Sequence, residues 1–270
     1  MTFKTAALAA AFGALAGATA VHAQTFAYAP GQQQYRITSI IRRTQEVGEQ
    51  KMSDSATSVQ VISVALAPKA QDTLQFTYTI DSLRTSMAEA EALLAGMRGK
   101  KVTGAMSPRG DVFTFEIPAE AESQMGGQEY QSLRTFLIHF PNASLRPGVT
   151  WVDTVSNKFS TMGIDGTETS IVTSRVAGDT TIARQKAWRI ERNAAVTLTG
   201  TGNQNGQALV VNGTRTVTGV GYVSRDGVYL GANSMQQAKT TISAPGAGQS
   251  MVISQSATTK IERVAPAKKS

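Results

Sequence analysis

The chain has 270 residues, a formal net charge of +7 and no cysteine, with 41% hydrophobic but only 6% aromatic residues. Without cysteine there is no disulfide framework and no lipid-modified cysteine at a processed N-terminus, so stability rests on an ordinary core, which a chain of this length can bury. The positive charge is scattered, with Lys268 and Lys269 clustered at the very end, and no basic stripe with interleaved aromatics marks a nucleic-acid surface.

Residues 1–4 carry one positive charge, and residues 5–20 form a charge-free stretch of Ala, Leu, Gly and Phe. The small residue pattern Val21-His22-Ala23 is followed by the polar Gln24, which reads as a cleavable signal peptide over 1–23 with processing between Ala23 and Gln24. The apolar run is shorter than the roughly 20 residues that cross a bilayer. No later stretch is long and apolar enough to span, so an exported chain with neither a membrane span nor a lipid anchor is expected. Small secreted eukaryotic domains are usually rich in cysteine, so its absence points to a bacterial periplasm, with the extracellular space as the alternative.

Beyond Gln24 the dominant period is two. Tyr35, Ile37 and Ile41 share a face opposite Arg36, Thr38 and Arg42, and residues 59–66 are apolar on both faces, as a central strand would be. Leu74, Phe76, Tyr78 and Ile80 alternate with Gln75, Thr77, Thr79 and Asp81. Two helical patterns follow. Met87, Ala90, Leu94 and Met97 recur behind a capping Ser86 and before Gly99, and Tyr130, Leu133, Leu137 and Phe140 recur before the stop at Pro141.

After the connection Leu145-Arg146-Pro147-Gly148, strands are expected near 150–160, 167–177, 180–192, 194–202, 207–212, 214–224, 227–238, 239–244 and 250–264. Asp165-Gly166, Asn205-Gly206, Asn212-Gly213 and Asp226-Gly227 are the turn pairs expected between them. The spacing therefore predicts one mainly β domain of the α+β class over 24–264. It is a long curved antiparallel meander sheet or half-barrel, with two short amphipathic helices in the first half and a disordered basic tail over 265–270. Val102-Thr103-Gly104 and Val217-Thr218-Gly219 begin similar strand-turn-strand stretches, which suggests a pseudo-repeat of 35–148 and 149–264.

Chemistry-bearing constellations are sparse. After processing the single histidine is His139, between Ile138 and Phe140, and no nucleophile elbow accompanies it. No catalytic residue, metal site or cofactor is expected. Asp111, Glu116, Asp153, Asp179 and Glu191 could meet as a hydrolytic carboxylate pair only if the fold brought them together. Gly219-Val220-Gly221 lacks the third glycine and the helix of a dinucleotide loop.

The segments Tyr35-Arg36-Ile37-Thr38-Ser39, Gly99 to Gly104 with Ser107 to Val112, and Leu145 to Trp151 resemble a group of uncharacterised exported bacterial proteins. That resemblance implies export and a β-rich fold, and carries no activity. In fold shape the expected sheet is similar to the half-barrels of periplasmic lipoprotein carriers, which implies an apolar concave face. The lining expected for such a cavity is Phe76, Tyr78, Phe113, Phe115, Trp151 and Trp188, with Leu133 and Leu137 from the covering helix. Three functions fit: a non-enzymatic binder or carrier of an apolar or amphiphilic molecule, a structural or assembly protein that binds another envelope protein through a sheet edge, and a hydrolase with carboxylates hidden from local spacing.

Overall fold

The computed structural model describes residues 25–264 except 71, 88–90, 92–93, 119–129, 131, 162 and 205. The expected signal peptide, its processing site at Ala23 and Gln24, and the tail over 265–270 lie outside the described residues.

Among the described residues, eleven strands form one antiparallel sheet. They are β1 (Gly31–Val47), β2 (Gln50–Ala70), β3 (Thr73–Thr85), β4 (Lys101–Met106), β5 (Val112–Glu116), β6 (Thr150–Thr161), β7 (Ile164–Ile182), β8 (Gln185–Gln204), β9 (Gln207–Ser224), β10 (Tyr229–Ala244) and β11 (Gln249–Val264). Their spatial order is β5-β4-β3-β2-β1-β11-β10-β9-β8-β7-β6. The first and last strands of the chain pair at the centre, and β5 and β6 are the two edges of an unclosed sheet.

The strands are longer and fewer than the turn chemistry predicts. The stretches expected at 180–192 and 194–202 join as β8, those at 207–212 and 214–224 as β9, and those at 227–238 and 239–244 as β10. Asp226-Gly227 does turn the chain, with Gly227 at φ +81°, and Gly206 turns it at the same φ, held by Asn203 Oδ1 at 3.0 Å. Asn212-Gly213 and Asp165-Gly166 instead lie inside β9 and β7. Their glycines serve packing: a Cβ on Gly166 would stand 2.3 Å from the Phe159 ring, and one on Gly213 would stand 3.0 Å from Thr240 Oγ1. A glycine under an aromatic ring reads the same in sequence as a glycine in a turn.

The two helices are not found as predicted. Glu91, Leu94 and Ala95 are helical, but residues 88–90 and 92–93 of that pattern lie outside the described residues. In the second pattern Tyr130 and Ser132 are helical and a 3-10 turn covers Leu133–Thr135; Phe136 keeps helical φ and ψ, and residues 137–140 carry no helix. The cause is that this run is apolar all round. Phe136, Leu137, Ile138 and Phe140 are all buried, on more than the one face a surface helix offers. The backbone of this segment is paired elsewhere: Phe140 donates to the Arg109 carbonyl at 2.9 Å, and the Ile138 carbonyl accepts the Tyr28 hydroxyl at 2.8 Å.

This segment, with Phe26 and Tyr28, packs into one end of the sheet's inner face against Tyr35, Ile62, Tyr78, Val176, Ile190 and Val223. One end of the sheet is thereby filled by the chain's own side chains.

Candidate ligand-binding face

At His139 an imidazole and two carboxylates converge. Its Nε2 lies 2.6 Å from Asp111 Oδ1 and its Nδ1 lies 2.5 Å from Asp153 Oδ1. Asp111 immediately precedes β5 and Asp153 belongs to β6, so the imidazole bridges the two edges of the sheet. The hydrogen bond to Asp153 comes first in raising its pKa above the ordinary histidine value, followed by the charges of Asp153 and Asp111; burial and Arg109 oppose the shift. Ser107 donates to Asp111 Oδ2 at 2.6 Å, not to the imidazole. With both ring nitrogens on carboxylates, neither is free to activate a serine, and the carboxylates stand on opposite sides of the ring. The cluster is an electrostatic clasp. Sequence alternation places Asp153 on the face of Trp151, but nothing local shows that His139 folds back onto it.

The aromatic set expected to line a cavity is mostly packed instead. Phe76, Tyr78, Leu133, Leu137, Trp151 and Trp188 are all buried. The Phe136 ring stands 5.9 Å from Tyr78, 5.2 Å from Tyr35 and 5.3 Å from Tyr229, which is edge-to-face contact. Phe140 stacks on Phe26 and Trp151. Trp151 donates its indole N–H to the His139 carbonyl at 2.9 Å, and the Arg225 guanidinium covers the Trp188 ring at 3.3 Å. Phe115 is half-buried against Phe76. Phe113 departs from the expectation and is 59% exposed. The β4–β5 register skips from Ala105↔Thr114 to Met106↔Val112, so Phe113 is the extra residue of a bulge and loses its inward direction.

The half of the sheet away from these segments is built differently. Residues opposite each other across paired strands share a face, so the register defines rows that cross the sheet. One inner row runs Val172, Ala194, Val217, Gln236, Ala257, Ile41. Another runs Leu198, Gly213, Thr240, Ile253, Gln45. Their apolar members are only half-buried. Between these rows Arg215 pairs with Glu168 at 2.6 Å and Arg43 with Asp54 at 2.5 Å. The outer face of the same strands carries exposed Thr214, Thr216, Thr197, Thr199, Gln237 and Lys239. A groove of about 660 Å³ crosses that outer face, with Ile40 and Met235 set among Glu191, Asn193, Thr258 and Lys260.

No helix among the described residues is long and apolar enough to cross a membrane. No family model matches the chain and no curated protein matches it. Solved structures resemble it only distantly. One, titled "Asymmetric conductivity of engineered proteins", is 8% identical and overlaps 83% of this chain and 99% of its own at a TM-score of 0.27. A substituted porin from Rh. blastica is 8% identical over 86% of this chain and 100% of its own, with a TM-score of 0.26. A DUF1329 family protein from Desulfovibrio piger is 9% identical over 88% of each chain, with a TM-score of 0.14.

Proposed function

We propose that this chain is an exported, non-enzymatic binding protein that holds an apolar or amphiphilic molecule against the uncovered half of its inner sheet face. The observation that carries this reading is the continuation of apolar side chains on that face beyond the segments that fill the core. Val217, Ile41, Leu198 and Ile253 point inward and are only half-buried, although Val196 and Val211 on the same face are buried, while exposed threonines lie on the outer face. Segregation of this kind is stabilising only if something removes the apolar face from water. Of the aromatic set expected at the site, Trp151 stands nearest, in the row that separates this half from the packed core. The signal-like residues 1–23 support export to a periplasm.

The test is binding of a lipid-like fluorescent dye to the mature chain, together with native mass spectrometry of protein purified from its own host. Val217→Glu on the inner face should abolish dye binding, and Thr216→Glu on the outer face of the same strand should leave it unchanged. Equal behaviour of the two variants, or no binding by the unaltered protein, overturns the reading.

A further inference from the structure

Between the packed core and the half-exposed apolar rows runs an inner row of different chemistry. Register places Trp151, Ser174, Arg192, Gly219, Ser234, Thr259 and Ser39 in line across the sheet. Hydrogen-bond donors occupy most of it, and its one charge is a guanidinium.

Two of these donors have no acceptor. Ser174 is only 1% exposed, and its Oγ is buried with no hydrogen-bond partner; the Nε of Arg192 opposite it is buried and unpartnered as well. The acids are taken elsewhere: Glu191 lies on the opposite face and pairs with Arg189, Glu168 pairs with Arg215, and Asp153 in the next inner row pairs with His139. On the other flank of Arg192, Gly219 presents no side chain, and none would fit, because a Cβ there would stand 2.8 Å from the Asn233 carbonyl oxygen. The phenol of Tyr229 also lies within electrostatic reach: burial raises its pKa and the charge of Arg192 draws it back. A buried hydroxyl and a buried guanidinium N–H left unpaired side by side are costly, and such groups are normally satisfied.

We propose that Arg192 and Ser174 form an oxyanion subsite that receives the carboxylate or phosphate head of an amphiphile whose chain lies along the half-exposed apolar rows; this rests on the proposed binding function. Arginine suits the role, because its planar fork meets two oxygens of one oxyanion while the serine hydroxyl donates to either of them. Ala194 and Val217 in the next inner row are where the chain would begin. The head therefore sits at Arg192 and Ser174, beside the dry core, and the tail runs along the inner face toward the β8–β9 hairpin.

The experiment is isothermal titration of the mature full chain with dodecanoate, dodecanol, acetate and inorganic phosphate, for the unaltered protein, Arg192→Gln and Ser174→Ala. The unaltered protein should prefer dodecanoate over dodecanol by about tenfold or more, the scale of a charged hydrogen bond. Arg192→Gln should erase that preference while leaving dodecanol affinity intact, and Ser174→Ala should reduce it. Equal affinities for the two amphiphiles, or a preference that survives Arg192→Gln, overturn the subsite and leave the binding function standing. Failure of both amphiphiles to bind overturns both proposals. Acetate or phosphate binding as tightly as dodecanoate supports the anion site and overturns the placement of the chain. Should Arg192→Gln not fold, Arg192→Lys decides: keeping the charge without the fork must weaken the preference, and an unchanged preference overturns the site.

Discussion

Along β8, surroundings change within four residues. Ile190 is fully buried under the segment that carries Phe136 and Phe140, whereas Ala194 faces the same way and is only half-buried. The same comparison holds on β9 between Val223 and Val217. Both ends share strands, register and an apolar inner face, so the difference lies in what covers them. At one end the chain supplies its own cover from outside the sheet. At the other the cover is partial: Val196 and Val211 are buried there, but Ala194, Leu198 and Val217 are only half-buried. Stability should therefore be concentrated at the filled end, and binding at the open one.

The largest expected effect is at the centre of the filled end. Phe140 is fully buried between Phe26, Tyr28 and Trp151, so Phe140→Ala should cost about 3–5 kcal/mol in denaturant unfolding. Val217→Ala, at a half-exposed site, should cost about 1 kcal/mol or less. Comparable losses at the two positions would break the contrast. A second test stays at the filled end: Gly104→Ala would put a Cβ 2.1 Å from the Thr114 carbonyl oxygen and 2.3 Å from the Phe76 ring. Relief requires strand or ring movement, and thermal unfolding should report a loss of about 1–3 kcal/mol.

These positions also show what the sequence makes legible. Alternation in Leu74, Phe76, Tyr78 and Ile80 identifies a half-buried strand, and all four are buried as expected. Alternation also gives the antiparallel meander, because side-chain direction is a local property of an extended chain. Strand length is not local in that way. Asn212-Gly213 carries the chemistry of a turn, yet continues β9, where Leu198 and Thr240 crowd the glycine closely. Tyr130, Leu133, Leu137 and Phe140 read as one face of a helix, although the run 136–140, buried on several sides, has no single face. The pairing of Asp111 and Asp153 through His139 depends on where the two sheet edges end, which no spacing encodes. For the open half, alternation shows which side chains point inward, but not how far each of them is buried.

The clasp at His139 gives a pH-dependent test of how the filled end is held. Its folded pKa is raised, chiefly by Asp153, above the value of about 6.5 expected in the unfolded chain. Its stabilisation is therefore fully present below the unfolded pKa and is lost as pH rises through the raised folded one. The melting-temperature difference between the unaltered protein and His139→Gln should shrink as pH is taken upward through neutrality. A difference that stays constant, or grows toward alkaline pH, would show that the imidazole holds the two edges by packing alone.

The smallest effect is expected in the open half, and it sharpens the comparison most. Arg43 and Asp54 face each other on the inner side of β1 and β2, with side chains 39% and 47% exposed. Such a pair is screened by water and is worth at most about 1 kcal/mol, so Asp54→Asn should change stability by no more than that. Its contribution should also fall with added salt, because the pair meets solvent and counterions directly. If this half were sealed from water, removing the acid would strand a buried guanidinium and cost about 3–5 kcal/mol. Chemical denaturation of Asp54→Asn at low and high salt separates the two cases. A small, salt-sensitive loss means that water reaches the inner face of β1 and β2, which an open binding face requires; a large, salt-insensitive loss would mean that this half is as closed as the end holding Phe140.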